Sequence, residues 1–503
     1  MNPFNKLTGS YKINQPLVLF TILVTMICIG YSIAKAGILA MAFFFAFPLI
    51  ILFLIKIFKR PEICFLAAMI ANFTVLGLSR YITGIALGLF VDGLLILTFI
   101  ALFFKTFYTK IDWSKANKDL TIASLIWYAY IFLELFNPEV VMRSLWFTSM
   151  RGLALYMVLT IVLVFLMFDK YKYLMYFLYL WCGFEILASI KSMIQLYIGL
   201  DPYEQFWLNT IGLKTHIIYG KLRLFSFFSD AGQFGNSQAH TAMVAVIIGL
   251  TTKKFKEKVF FLITAFFCFY GMVLSGTRGV FGVLAGSTIA FLALNRNIKA
   301  LIIGLLVAFS VYFFFQHTYI GQGIYFINRM RSAFNPNDPS LLVRLENQDK
   351  LRPYLAARPF GGGLGHAGTK VLPYLPNTFL ANIATDSWYV MIWGELGIVG
   401  LIIHLSILFY IIFKGAYLIV RIRNPELRFK MIALLCGIVG ILISSYGNGV
   451  YGQMPTGLIM YTSMAFIFLS KRFDNELKEE SLAKPSYCSN DQYLPRSYSS
   501  MPS

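Results

Sequence analysis

Apolar runs of about 20 residues recur along nearly the whole chain, separated by short polar segments. They lie near 16–34, 38–58, 62–79, 83–105, 120–136, 148–168, 173–199, 237–252, 258–274, 279–294, 298–316, 387–413, 428–446 and 455–470. A helix needs about 20 residues to cross roughly 30 Å of hydrocarbon. Helices are also the only open-ended structures that satisfy every backbone amide within lipid. The pattern therefore predicts an all-α, polytopic integral membrane protein of fourteen transmembrane helices, twelve at the least. Two polar stretches are long, at roughly 200–236 and 317–386. The membrane domain is expected to span 1–472. The segment 473–503, rich in Ser, Pro, Tyr and Asn with no apolar period, is expected to be a disordered tail.

Composition agrees: 58% of residues are hydrophobic and 13% charged, with a formal net charge of +20. Lys6 and Lys12, an apolar run and Ala34-Lys35-Ala36 have the outline of a signal peptide. The run is long for such a segment and many spans follow, so a retained first helix is expected. With the N-terminus inside, basic groups such as Lys253, Lys254, Lys256 and Lys258, or Lys414, Arg421, Arg423, Arg428 and Lys430, fall on the cytoplasmic side. The short outer loops hold only Lys35, Arg80, Arg143 and Arg278, with Arg151 at a helix edge. This asymmetry follows the positive-inside rule and accounts for much of the charge, so a nucleic-acid partner is not called for.

Both long loops then lie outside. Cytoplasmic loops between spans are short and no GxxxxGK[ST] phosphate loop is present. Chemistry is thus expected on the outer face, without direct use of cytoplasmic nucleotides. Five of the six cysteines sit in or at the ends of spans, Cys488 is in the tail, and no disulfide framework or metal motif emerges.

The outer segments carry arginines in separate places. Arg223 precedes Phe225-Ser226-Phe227-Phe228-Ser229-Asp230, and Arg278 sits in Ser275-Gly276-Thr277-Arg278-Gly279 between two apolar runs. Arg344 falls in a short helical pattern, Ser340–Leu351, that Pro353 is expected to end. Arg344, Gln348 and Arg352 share a face there. Arg358, Gly361-Gly362-Gly363-Leu364-Gly365 and His366 follow, and the membrane is re-entered at Asp386-Ser387-Trp388-Tyr389. Guanidinium groups match phosphate oxygens with paired hydrogen bonds and stay charged. A glycine-rich turn, Gly363 included, can offer amides to an anion. The bland alternatives are headgroup anchors for the arginines and a tight turn for the glycines. Asp92, Glu134, Glu185, Lys191 and Glu395 lie within spans and are candidates for a proton relay or for structural hydrogen bonds. The five histidines (216, 240, 317, 366, 404) show no metal-ligand spacing.

In order and sidedness these motifs resemble the O-antigen ligase and O-antigen polymerase superfamily over approximately 200–410. The carriers are Ser275-Gly276-Thr277-Arg278-Gly279, Arg344, Pro359-Phe360-Gly361-Gly362-Gly363-Leu364-Gly365, and Gly394-Glu395-Leu396-Gly397-Ile398-Val399-Gly400. The resemblance implies a metal-independent glycosyltransferase, with no cofactor, at the outer face of a bacterial inner membrane, its termini cytoplasmic. Its donor would be an undecaprenyl-pyrophosphate-linked oligosaccharide whose polyprenyl tail enters between helices. Other partners implied are the lipid bilayer and a chain-length regulator and flippase of the same pathway. Arg278 is the first candidate for stabilising the leaving pyrophosphate, with Arg223, Arg344 and Arg352 alongside. Trp388, Tyr389 and Trp393 would stack on sugars or form an interfacial belt.

Ligases of the superfamily usually carry a histidine near the end of the large loop. Here that stretch reads Thr385-Asp386-Ser387-Trp388-Tyr389-Val390. Asp386 is then the general-base candidate or a helix cap, with His366 in reserve. The missing histidine favours a polymerase over a ligase. A lipid-linked oligosaccharide transporter and a non-catalytic scaffold are the rival classes, but no internal repeat of the kind transporters show is found.

Overall fold

The computed structural model describes residues 16–483, apart from Thr83, Tyr219, 296–297, Ile324 and 333–338. Lys6, Lys12 and the segment 484–503, with Cys488, lie outside the described residues. The chain is all-α and polytopic, and each of the fourteen apolar runs corresponds to helix. Among the described residues, eight helices are long and apolar enough to cross a membrane.

In chain order, α1 (Pro16–Ala36), α2 (Ile38–Lys59), α3 (Pro61–Leu78) and α4 (Gly88–Lys105) come first. Then follow α5 (Asp119–Leu133), α6 (Arg143–Met150) running through a π turn into α7 (Tyr156–Met167), and α8 (Tyr171–Tyr197). The first long loop holds α9 (Pro202–Trp207), α10 (Leu213–His216) and a short ribbon of β1 (Ile217–Ile218) with β2 (Lys221–Leu222). Next come α11 (Ala231–Thr251), α12 (Phe255–Leu274), α13 (Val280–Asn295) and α14 (Ile298–His317). The second long loop holds α15 (Tyr325–Arg331) and α16 (Pro339–Ala356). The chain continues as α17 (Trp388–Val420), α18 (Pro425–Ser444), α19 (Thr456–Phe468) and α20 (Ser470–Ala483).

The molecule divides into two units. One comprises the residues up to Phe65 with Thr98–Lys110. Within it α1 packs on α2, and Lys105 pairs with Glu62 at 3.4 Å. The other comprises Leu66–Leu97 and the chain from Ile111 onward, and it contains every residue of the candidate site.

The second unit is built around α11, which packs against α8, α12, α13 and α18. Its first half is polar: Gln233, Asn236, Ser237, Gln238 and His240 are all buried. Buried polar groups are costly without partners, and most find them. Gln233 donates to Thr456 Oγ1 (2.8 Å), Ser237 to Glu185 (2.5 Å) and Gln238 to Glu185 (2.6 Å), while Asn236 accepts from Ser444 (2.5 Å). These protein contacts let the helix begin at Ala231, six residues before the start that apolarity alone indicated.

Other boundaries also moved. Pro353 lies inside α16, which continues to Ala356 because Leu351 and Leu355 share a buried cluster with Leu380 and Ile383, against which Tyr354 packs. The tail read as disordered from 473 is helical to Ala483. Phe473 is buried, Asp474 accepts the amides of Arg423 and Asn424, and Glu476 accepts that of Tyr171.

Candidate functional site

The Ser275–Gly279 turn is held by local and tertiary contacts together. Gly276 has φ +56°, a left-handed conformation that glycine adopts at little cost. The Ser275 hydroxyl donates to Met272 O (2.7 Å) and accepts the Thr277 amide (3.2 Å). Beyond the turn, Gly279, Gly282 and Gly286 lie against α18 and the loop after it. Added Cβ atoms would meet Asn448 at Gly279, the Ser444 backbone at 2.9 Å and Gly440 Cα at 3.0 Å. Small residues let helices approach closely in this way. The stripe brings Arg278 beside the 445–449 loop, where Ser444 Oγ donates to Gly279 O (2.9 Å).

Arg223 reaches the same turn. Its Nη2 donates to Thr277 Oγ1 (2.9 Å) and its Nη1 to Thr215 O (3.2 Å), while Thr277 Oγ1 donates to Ala231 O (2.8 Å). Burial, Arg329 and Arg278 together hold the Arg223 guanidinium below its ordinary value, with Asp230 and Tyr325 opposing. Arg278 from the α12–α13 turn and Arg329 from α15 thus both act on Arg223 of the first long loop. Arg344 approaches from α16, with Nη1 4.0 Å from where a Gly447 side chain would begin. It also faces Asp386 at 3.8 Å. Asp386 is 64% exposed on its side chain, and the cap of α17 is Ser387, which accepts the Val390 amide. The structure therefore brings Arg223 and Arg278 together, with Arg344 and Asp386 bordering them. It adds Arg329, Asp230 and Asn448, none of which was singled out from sequence. Arg329 was concealed as one charge in a long polar loop, and Asn448 carries no signal without the α13–α18 contact.

The remaining predicted residues are placed otherwise. Arg352 is 72% exposed on its side chain and faces Asp349 at 3.5 Å. The glycine run engages α17 instead of leaving its amides open. Gly362 N donates to Gly394 O (2.9 Å), Gly363 N to Glu395 O (3.0 Å) and Gly361 N to Arg358 O (2.9 Å). Val399 N donates to Pro359 O (3.2 Å) across a break in α17 at Gly397 (φ 67°, ψ −170°). The two glycine motifs thus close on each other, and the anion role expected of Gly363 is replaced by this seam. Glu395, within the membrane helix, accepts the Ala367 amide (3.3 Å).

His366 secures the same region. It is buried, its Nε2 accepts the amides of Val141 (3.2 Å) and Met142 (3.1 Å), and its Nδ1 donates to Leu364 O (3.0 Å). With both nitrogens engaged, it is placed as a tie and not as a base. Burial lowers its value below the ordinary 6.5. As pH falls, the unfolded chain therefore takes up the proton first. The stability that neutral His366 contributes is full above about 6.5 and is lost as pH falls from there toward the lowered folded value. Thermal midpoints are expected to fall less between about pH 7.5 and about pH 5 in His366→Gln than in wild type. Equal falls would remove His366 as a titrating tie. His216 is also buried and lowered, but it is common to both proteins.

Arg80, read only as a loop charge, organises the loop bearing Arg223. It is buried between the Trp207 and Phe225 rings, 4.5 and 4.4 Å from their centroids, and donates to Ser226 O (2.6 Å) and to Phe228 O. Burial pushes its guanidinium down to about 10, partly offset by Glu204. Asp92 pairs with Arg151 and accepts from Tyr156, and Lys191 pairs with Asp201 (3.4 Å) and Glu204 (3.2 Å). Glu134 accepts from Asn137 (2.8 Å). Of the aromatic trio, Trp388 is buried and donates to His404 (3.1 Å), Tyr389 donates to Leu442 O (2.7 Å), and Trp393 packs on the Leu351 cluster. Among the described residues, no group of three or more His, Cys, Asp or Glu side chains is placed to hold a metal ion.

No curated protein matches the chain. Residues 263–405 match a family model described as O-antigen ligase. The matched segment contains the Arg278 turn, Arg344, both glycine motifs and Asp386, and over these residues the chain is similar to O-antigen ligases, which supports the superfamily of O-antigen ligases and polymerases.

Proposed function

We propose that this protein polymerises undecaprenyl-pyrophosphate-linked oligosaccharide repeat units at the periplasmic face of a bacterial inner membrane. The family match supports the coarser statement, a glycosyltransferase-like enzyme of O-antigen or polysaccharide assembly. The observation that carries the finer reading is the convergence of Arg223 and Arg278 from separate segments on the Thr277 turn, with Arg329 and Arg344 around them.

In the transfer, an acceptor hydroxyl forms a bond to the anomeric carbon as the bond to the donor phosphate breaks. The pyrophosphate leaves with the electron pair. Charge that develops there is stabilised most by cations already held in position, because little reorganisation is needed at the moment of reaction. Thr277 and Thr215 fix Arg223, and the glycine stripe of α13 fixes the Arg278 backbone. The acceptor proton passes to Asp386, whose carboxylate is exposed and steered by Arg344. A chain-length regulator and a flippase of the same pathway are the expected protein partners, and both termini are expected in the cytoplasm.

The family description itself favours a second reading, transfer of the finished glycan to lipid A–core. A surface-glycan gel of a host lacking the gene separates the two. Core carrying a single repeat, with the ladder restored by wild type, supports the polymerase. Bare core with long glycan on the polyprenyl carrier supports the ligase. An unchanged profile removes O-antigen as the product.

A further inference from the structure

The starts of α5 and α8 and the ends of α7, α17 and α19 meet in one place, at the end of α17 away from Asp386. A cavity of about 780 Å³ opens there, lined by Lys118, Lys170, Lys414, Lys471 and Arg472 together with Asp119, Asp169, Glu476 and Glu479. Leu418 and Phe468 form an apolar part of its wall.

Most of the carboxylates are already engaged. Asp119 pairs with Lys414 (3.1 Å) and accepts from Tyr410 (2.9 Å). Asp169 is bracketed by Lys115 (2.7 Å) and Arg472 (2.5 Å), and Glu476 accepts the Tyr171 amide (2.8 Å). Lys118, Lys170 and Lys471 form no ion pair among the described residues. Lys118 is half-buried with its ammonium 5.6 Å from the Phe165 ring centroid, and burial together with Arg472 holds it below its ordinary value. Ammonium groups gathered at a helix-end cavity with an apolar wall suit a phosphate group that carries a hydrocarbon part.

We propose that this cavity binds a phosphate-bearing anion, an anionic phospholipid headgroup or free phosphate, through Lys118, Lys170 and Lys471. The site is separate from the transfer chemistry and does not depend on it. The test is native mass spectrometry of the full chain in detergent, titrated with phosphatidylglycerol, with phosphatidylcholine and with inorganic phosphate. Wild type is expected to bind phosphatidylglycerol at least about tenfold more tightly than phosphatidylcholine, and the preference to weaken with salt. Lys118→Ala/Lys170→Ala/Lys471→Ala should lose the preference, and so should Lys170→Glu/Lys471→Glu, which alters exposed positions only. Displacement of the lipid by millimolar phosphate assigns the site to free phosphate, and its retention assigns it to the lipid. Equal binding of the two lipids with no phosphate bound, or an unchanged preference in both variants, overturns the proposal.

Discussion

Arg278→Ala is expected to reduce glycan transfer by about 10²–10³-fold, the usual loss when one preorganised electrostatic donor is removed from an active site. The chain should still fold. The turn is held by Gly276, by the Ser275 and Thr277 hydroxyls and by the α13 glycines, while the Arg278 side chain is only half-buried. Arg278→Lys keeps the charge but loses the planar fork that engages two phosphate oxygens, so only partial recovery is expected. Transfer assayed on purified protein with a lipid-linked donor, alongside the thermal midpoint, checks both points. Activity within about threefold of wild type would contradict the assignment.

Gly397→Ala should abolish folding instead of affinity. Gly397 holds φ 67° and ψ −170°, a region essentially restricted to glycine, where another residue costs about 1–3 kcal/mol. Its added Cβ would also fall on the Pro359 carbonyl oxygen and crowd Gly361 N. That obstruction is backbone, which cannot swing aside as a side chain can, so the total loss should exceed about 4 kcal/mol. Gly363→Ala, at φ +97° with Val140 Cγ2 2.9 Å from the new methyl group, should lose stability in the same way but less. If Gly363→Ala instead kept wild-type stability and lost pyrophosphate affinity, the glycine run would be a phosphate cradle after all. Yield of monodisperse protein and thermal midpoint, read beside donor binding, decide between the two.

The all-α, polytopic class was legible because hydrocarbon thickness imposes its length on each apolar run, whereas the count was not, since eight of the described helices are long and apolar enough to cross. Polar starts were not: α11 begins on Gln233 and Asn236, whose partners come from α18, α19 and their loops, and a hydropathy pattern contains no such long-range pairing. The same limit governs the site. Arg278 was singled out because a charge between two spans is costly, and Arg344 because it sits on a helical pattern in a long polar loop. The i, i+4, i+8 spacing grouped Arg352 with Arg344, but only Arg344 meets the 445–449 loop. The glycine run looked like an anion cradle because open amides and amides satisfied by a distant carbonyl read alike in sequence. Arg80 and Arg329 matter through where the long loops fold back, which no local spacing encodes.

The most direct measurement of the central claim is the affinity of the purified full chain for polyprenyl pyrophosphate relative to polyprenyl monophosphate, in wild type, Arg223→Ala and Arg278→Ala. An arginine cluster that receives the leaving group should favour pyrophosphate in wild type, and each variant should weaken that preference by about tenfold or more. Equal affinity for the two lipids in wild type, or a preference untouched by both substitutions, would contradict it.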